Sequence, residues 1–391
     1  MVPIKLNFGI SDIFLSPRLA LSGKKIWTLT IGNLIGYLSY VTFSFLSYEI
    51  SYQDFSKSVT DLGLFPVLFG KDLSILSWFL YVTGIMLWII SYLFWSTVLS
   101  KITLNQLRGN NSFPLLSGIN FSLQNWKSII LSPLTILLLI TLLFIIGIFL
   151  SLLTTIPILG PIFFSILIPI YFLGALFILY SLLCFMSSIL HTPSIVSCYE
   201  EDVIGTVFQS YSITWSQPWR IIFYNIISLM LMVLGLEIML WFFINAFNIV
   251  LFTFSYFMDE TIINLIRVTY NFFASDESFR FILNLRNSIT GSLTKNFFNL
   301  PNFITDHTYI EDFSIFYRIC ATFLSTFLIL IILFSISYAQ SILIVSLTLS
   351  FLIFKRLSDD DDLIKRLNQI ENDEENSLDS FFKFQNSENN T

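Results

Sequence analysis

The sequence predicts an all-α fold, a polytopic transmembrane helical bundle of about six spans, and three observations carry that expectation. First, 55% of the 391 residues are hydrophobic, 12% are charged and the mean hydropathy is +0.77, whereas soluble domains are roughly half apolar and a quarter charged. Second, apolar runs recur that are long enough to cross a hydrocarbon core about 30 Å thick, which takes roughly 20 helical residues. Third, Lys and Arg collect on one side of those runs. A transmembrane barrel would alternate in segments of about ten residues. These runs are continuous, and in lipid a continuous run satisfies its own backbone only as a helix.

Residues 1–25 read as a cytoplasmic amphipathic segment. Met1 to Ser16 has no basic stretch feeding an apolar core and no small-residue cleavage site, so the first span is expected to act as its own anchor. Within a membrane domain of 26–354, spans are expected at 26–48, 75–99, 129–155, 162–190, 221–247 and 319–353. The third and fourth come from Ser128 to Tyr199, 72 residues without Asp, Glu, Lys or Arg. Pro157, Gly160 and Pro161 break that stretch into a tight hairpin. The last two runs, 221–258 and 319–354, are longer than a bilayer requires at 1.5 Å per residue. Neither has a central Gly/Pro turn, so each is read as one tilted or protruding helix.

Between them, 259–318 is an outer loop of mixed charge, with periodic apolar residues that predict surface helices. The cytoplasmic tail, 355–391, carries five basic and ten acidic residues. Ser358 is a candidate N-cap for a short helix over 359–370, and the remainder is expected to be disordered. Phe381, Phe382 and Phe384 form either a partner-docking motif or a membrane-touching or idle cluster.

Thirteen of the twenty Lys and Arg fall on the side that holds both termini, and positively charged loops stay cytoplasmic. Both termini are therefore expected in the cytoplasm. Cys184 is placed mid-span, Cys198 in a cytoplasmic loop and Cys320 at an outer helix start, which implies no disulfide framework.

Three approaches to the membrane share a pattern: an amphipathic Ser/Asn-rich stretch, a Trp beside a basic residue, then a span. Gln124-Asn125-Trp126-Lys127 aligns with Gln217-Pro218-Trp219-Arg220, and Lys24-Lys25-Ile26-Trp27 is a looser copy. Each interval between these tryptophans holds two spans. Three repeated units follow, each an interfacial helix plus a transmembrane hairpin. Convergence is the alternative, because Trp and basic residues each favour the interface. In the third approach Glu200, Glu201 and Asp202 complement the helix dipole. Val203, Val207, Tyr211 and Trp215 then form an apolar stripe ended by Pro218.

Glu237 is the clearest ionisable residue inside a span, and an intramembrane acid is a functional candidate because its burial is costly. It could relay a proton or hold a cation; the plainer reading is an outer-interface or hydrogen-bonded acid. Gln340, Asn225, Asn245 and Asn248 read as interhelical hydrogen-bonders. His191, Cys198, Glu200, Glu201 and Asp202 crowd one loop at a spacing that matches no zinc site, with helix capping as the simpler role. Pro133 and Pro169 are candidate kinks. Two histidines, no Gly-rich phosphate loop and no nucleophile elbow leave no catalytic signature, and neither cofactor nor metal is expected.

Pro193-Ser194-Ile195-Val196, Glu200 to Asp202, Phe208-Gln209-Ser210-Tyr211-Ser212 and Pro218-Trp219-Arg220 resemble a signature of bacterial six-span proteins. That group is related to the membrane domain of glycerophosphodiester phosphodiesterases and the YciC-like proteins. The opening, Asp12-Ile13-Phe14 through Pro17-Arg18-Leu19-Ala20-Leu21, is similar. The resemblance implies fold and membrane residence over 9–354 and no catalysis, since the phosphodiesterase domain is missing. The expected function is a non-enzymatic scaffold or accessory subunit of the bacterial inner membrane. Its expected partners are lipid and, at the cytoplasmic face or tail, protein; no nucleic acid is expected. The alternative is a transporter or channel with a polar path near Glu237.

Overall fold

The computed structural model describes residues 6–52, 62, 64–69, 71–110, 112–156, 159–258, 260–273, 315–359, 363–366 and 368–369. The expectations for the rest of the outer loop and for the far tail, with Phe381, Phe382 and Phe384, lie outside these residues. No strand occurs among the described residues. The helices are α1 (Ile10–Ile13), α2 (Ser16–Ala20), α3 (Gly23–Tyr52), α4 (Ile75–Leu107), α5 (Leu115–Gln124), α6 (Trp126–Ser151), α7 (Leu159–Tyr199), α8 (Val203–Ser216), α9 (Pro218–Met258), α10 (Glu260–Phe273) and α11 (Ile315–Asp359). Among them α3, α4, α6, α7, α9 and α11 are long and apolar enough to cross a membrane, so the chain is an all-α, multi-pass membrane protein. One or more short helices precede a pair of long ones three times along the chain: α1–α2 before α3 and α4, α5 before α6 and α7, α8 before α9 and α11.

Two compact units divide these helices. The first comprises Met1–Ala20, Leu93–Leu229 and Leu343–Thr391. Its core is the end of α11, where every residue from Leu343 to Lys355 is buried, as expected of a helix enclosed on all faces. Ser346, Thr348 and Ser350 let neighbouring helices come close. The Ser100 hydroxyl of α4 lies 2.9 Å from both Thr348 and Ser197, Ser194 of α7 lies 3.3 Å from Thr348, and Ser228 of α9 lies 2.5 Å from Ser346. Lipid tails are as apolar as leucine, so helices in a membrane associate through small-residue packing and interhelical hydrogen bonds of this kind.

The short helices of this unit follow the same rule. Ser16 and Ala20 of α2, Gly118 and Ser122 of α5, and Thr206 and Ser210 of α8 are buried, each pair four residues apart on one face. Leu116 and Leu123 of α5, and Ile204, Phe208 and Trp215 of α8, are exposed. The apolar stripe expected on α8 stays off the buried face: Val203, Val207 and Tyr211 are half-buried. Trp215 is 77% exposed, while the inward face is Thr206, Ser210, Ile213 and Thr214. Periodicity marks a helix face without saying what the face meets, and an apolar face loses little by meeting lipid.

α6 and α7 pack along each other as a hairpin. At its bend, a Cβ on Gly160 would come within 2.2 Å of the Thr154 carbonyl oxygen, so the turn requires glycine there. α7 then runs to Tyr199 through Pro169 and Pro193. His191 and Cys198 are therefore buried on a helix, not in the cytoplasmic loop expected for them. Glu200, with φ of 56°, ends the helix in the left-handed conformation that glycine usually takes. The Asp202 carboxylate accepts from the Gly205 amide at 2.9 Å and caps α8. Ser358 lies in the last turn of α11, which runs to Asp359; residues 363–366 are also helical, and Leu363 is buried.

The second unit comprises Leu21–Tyr92 and Met230–Ile342. Here α3 and α4 pack through a close approach at Gly36, where a Cβ would fall 2.3 Å from Cδ1 of Trp88. Residues 64–69 are tied to both helices by tyrosines. The hydroxyls of Tyr37 and Tyr40 donate to the carbonyls of Leu64 and Pro66, and the Leu68 amide lies 3.5 Å from the Tyr81 hydroxyl. These bonds hold Phe65 against the Tyr40 ring and Phe69 against the Tyr81 ring.

Candidate functional site

Glu237 and Gln340, the two intramembrane candidates from sequence, both belong to the second unit. Gln340 joins a buried amide cluster. Asn33 of α3, 2% exposed, donates through Nδ2 to Gln340 Oε1 at 2.7 Å and to Ser337 Oγ at 2.9 Å, both on α11. Trp88 Nε1 of α4 lies 3.5 Å from Asn33 Oδ1. One carboxamide thus joins three helices, which an amide can do because it presents donors and acceptors together. Glu237 is half-buried on α9, two residues from Gly235, where a Cβ would meet Cδ1 of Ile342.

Beside the cluster lies a pocket of about 360 Å³, walled by Tyr40, Phe65, Phe69, Tyr81, Trp88 and Tyr92, with Gln340 supplying a polar group. Its rings are inclined to one another. Tyr40 lies 5.5 Å from Trp88 and 5.9 Å from Tyr81 between centroids, and Phe69 meets Tyr81 edge-on at 5.3 Å. Tilted and edge-on contacts are the favoured aromatic geometries. The pocket is within the size range of small-molecule sites, and its mostly apolar wall with few polar groups is their usual chemistry. Among the described residues no carboxylate, thiol, histidine or lysine lines it, and its walls suit binding an apolar or aromatic group.

The interfacial anchors are spread along the chain. Trp27, in the first turns of α3, packs edge-on against Phe334 of α11 at 6.2 Å. Trp126 and Lys127 at the start of α6, and Trp219 and Arg220 at the start of α9, are exposed. The residues grouped around the α7–α8 turn serve separate local ends. The His191 ring lies 3.0 Å from Asn225 Oδ1 and edge-on to Phe354; Glu200 pairs with Lys101 at 2.5 Å; the Glu201 carbonyl accepts from Ser128 at 2.9 Å. Lys101 also lies over the Phe121 ring at 4.2 Å, so it fastens α4, α5 and this turn within the first unit. On α8, burial raises the Tyr211 hydroxyl above its ordinary value, which keeps it protonated.

Asn225 thus bonds between helices, while Asn245 donates to the Trp241 carbonyl of its own helix at 2.7 Å, a correction to its interhelical reading. Asn33 and the pocket tyrosines escape a search for charge in apolar runs. The available signal was a lone carboxamide in the first span, four and seven residues before Tyr37 and Tyr40 on one helix face. No protein-family model, curated protein or solved structure matches this chain.

Proposed function

We propose that the protein is a non-enzymatic scaffold or accessory subunit of a bacterial cytoplasmic membrane, with both termini in the cytoplasm and a protein partner at that face or at the acidic tail. The observation that supports this reading is how its intramembrane polar groups are used. Ser100, Ser197 and Thr348, Ser228 and Ser346, His191 and Asn225, and Asn33 and Gln340 bond helix to helix, which fixes architecture. The resemblance to six-span proteins of the glycerophosphodiester-phosphodiesterase membrane-domain and YciC-like group agrees with a membrane role that needs no catalytic domain.

Affinity purification in mild detergent tests the partner. Deleting 370–391 spares the bond from Arg108 Nε to Asn368 at 2.7 Å. It should release the partner while the protein stays folded; retention of every co-purifying protein rules out docking through the tail.

A second reading, binding or transport of a small solute, is favoured by the aromatic pocket beside Gln340. Glu237→Gln in proteoliposomes separates the two. A scaffold keeps its partner and shows no uptake to lose, whereas a proton- or cation-coupled carrier loses uptake.

A further inference from the structure

A groove in the first unit, distinct from the aromatic pocket, runs beside the start of α9. It has a volume of about 720 Å³ and is lined by Phe8 and Ile10 from the N-terminal segment, Trp219, Arg220, Phe223 and Ile226 from α9, and Leu357 from α11. Its apolar lining is open: Trp219 is 82% exposed, and Ile10, Phe223, Ile226 and Leu357 are each exposed by roughly two-fifths or more. Polarity is ordered along the groove. Trp219 and Arg220 stand in the first turn of α9, and Ile226 lies six residues further, about 9 Å along the helix axis.

A second cation stands at the wall. The Arg356 guanidinium lies 5.8 Å from the centroid of the Phe8 ring. Phe8 itself has φ of 52°, a left-handed conformation that is unfavourable for a non-glycine residue and persists only where its surroundings hold it. Among the described residues no acid lines the groove; Asp12 is nearby in sequence to Ile10 but buried and not part of the lining.

We propose that this groove binds an anionic phospholipid of the surrounding leaflet, its phosphate against Arg220 and an acyl chain along Phe223 and Ile226. The charge favours that occupant. Guanidinium pairs with phosphate through parallel donors, Trp sits at headgroup level, and the wall continues as apolar side chains in the direction a lipid tail takes. The proposal is independent of the scaffold reading and of the aromatic pocket.

The test uses the full chain in phosphatidylcholine nanodiscs with increasing fractions of lipid brominated on its acyl chains. Quenching of Trp219 is taken as the difference from the matched Trp219→Phe protein. Brominated phosphatidylglycerol should half-quench at a mole fraction about fivefold lower than brominated phosphatidylcholine, the factor expected of one arginine at an anionic headgroup. Arg220→Gln should abolish the preference. Lys127→Gln, the same charge change beside Trp126, should leave it intact. If Arg220→Gln does not fold, Ile226→Trp fills the groove without altering charge and should lower quenching by both lipids. Equal quenching by the two lipids, a preference that survives Arg220→Gln, or no quenching by either lipid, as with a groove covered by protein, overturns the proposal.

Discussion

Asn33 is a single amide on which three helices of the second unit depend. Removing one such bond in a membrane costs about 0.6–2 kcal/mol, and because Asn33 and Gln340 share their bond the losses should not add. In a double-mutant cycle of Asn33→Ala and Gln340→Ala, read by unfolding in detergent, the double variant should cost less than the sum by about 1 kcal/mol. Additive losses would mean the 2.7 Å contact carries no coupling. Gly36 offers a steric test in the same place. A methyl there, 2.3 Å from Trp88, must push the indole out of its seat, so Gly36→Ala should destabilise by about 1–3 kcal/mol. Unchanged thermal stability would contradict this packing. Glu237 was visible in the sequence because charge stands out among apolar residues. Asn33 was not, because a search for charge passes over a neutral amide and its partners lie about three hundred residues away.

At the scale of elements, the short helices show what periodicity leaves undecided. The period along α8 was legible, and so was its start, where Asp202 accepts from the Gly205 amide. Which face turns inward was not. In water the apolar face would be buried, but beside lipid the denser packing comes from Thr206 and Ser210, and Ile204, Phe208 and Trp215 are left outward. Enlarging the inner face with Ser210→Leu should destabilise by about 1–3 kcal/mol through overpacking, while Phe208→Ala should cost much less. A spin label at Phe208→Cys should be reached by dissolved oxygen more readily than by a water-soluble nickel chelate, since the outward face lies against acyl chains. Preferential access to the chelate would place α8 in water. The left-handed Glu200 explains why the α7–α8 boundary was not legible: no glycine marks the end of α7.

For the whole molecule, six long helices set an alternation that a labelling experiment reads directly. Ser112 lies between α4 and α5, and Thr155 between α6 and α7, so one crossing separates them. In a Cys320→Ser background, with Cys184 and Cys198 buried, an impermeant thiol reagent should label Ser112→Cys and Thr155→Cys from opposite sides. Labelling of both from one side would break the alternation. The sequence by itself determined the solvent, the helical class, the six long apolar segments and the hairpin break at Gly160, because each depends on the local cost of placing backbone and side chains in lipid. Only the tertiary structure decided which faces pack, which carboxamides meet, and that His191 and Cys198 are buried. Those outcomes depend on hydroxyls, amides and glycines brought together from distant parts of the chain, and such pairings leave no periodic mark on the residues between them.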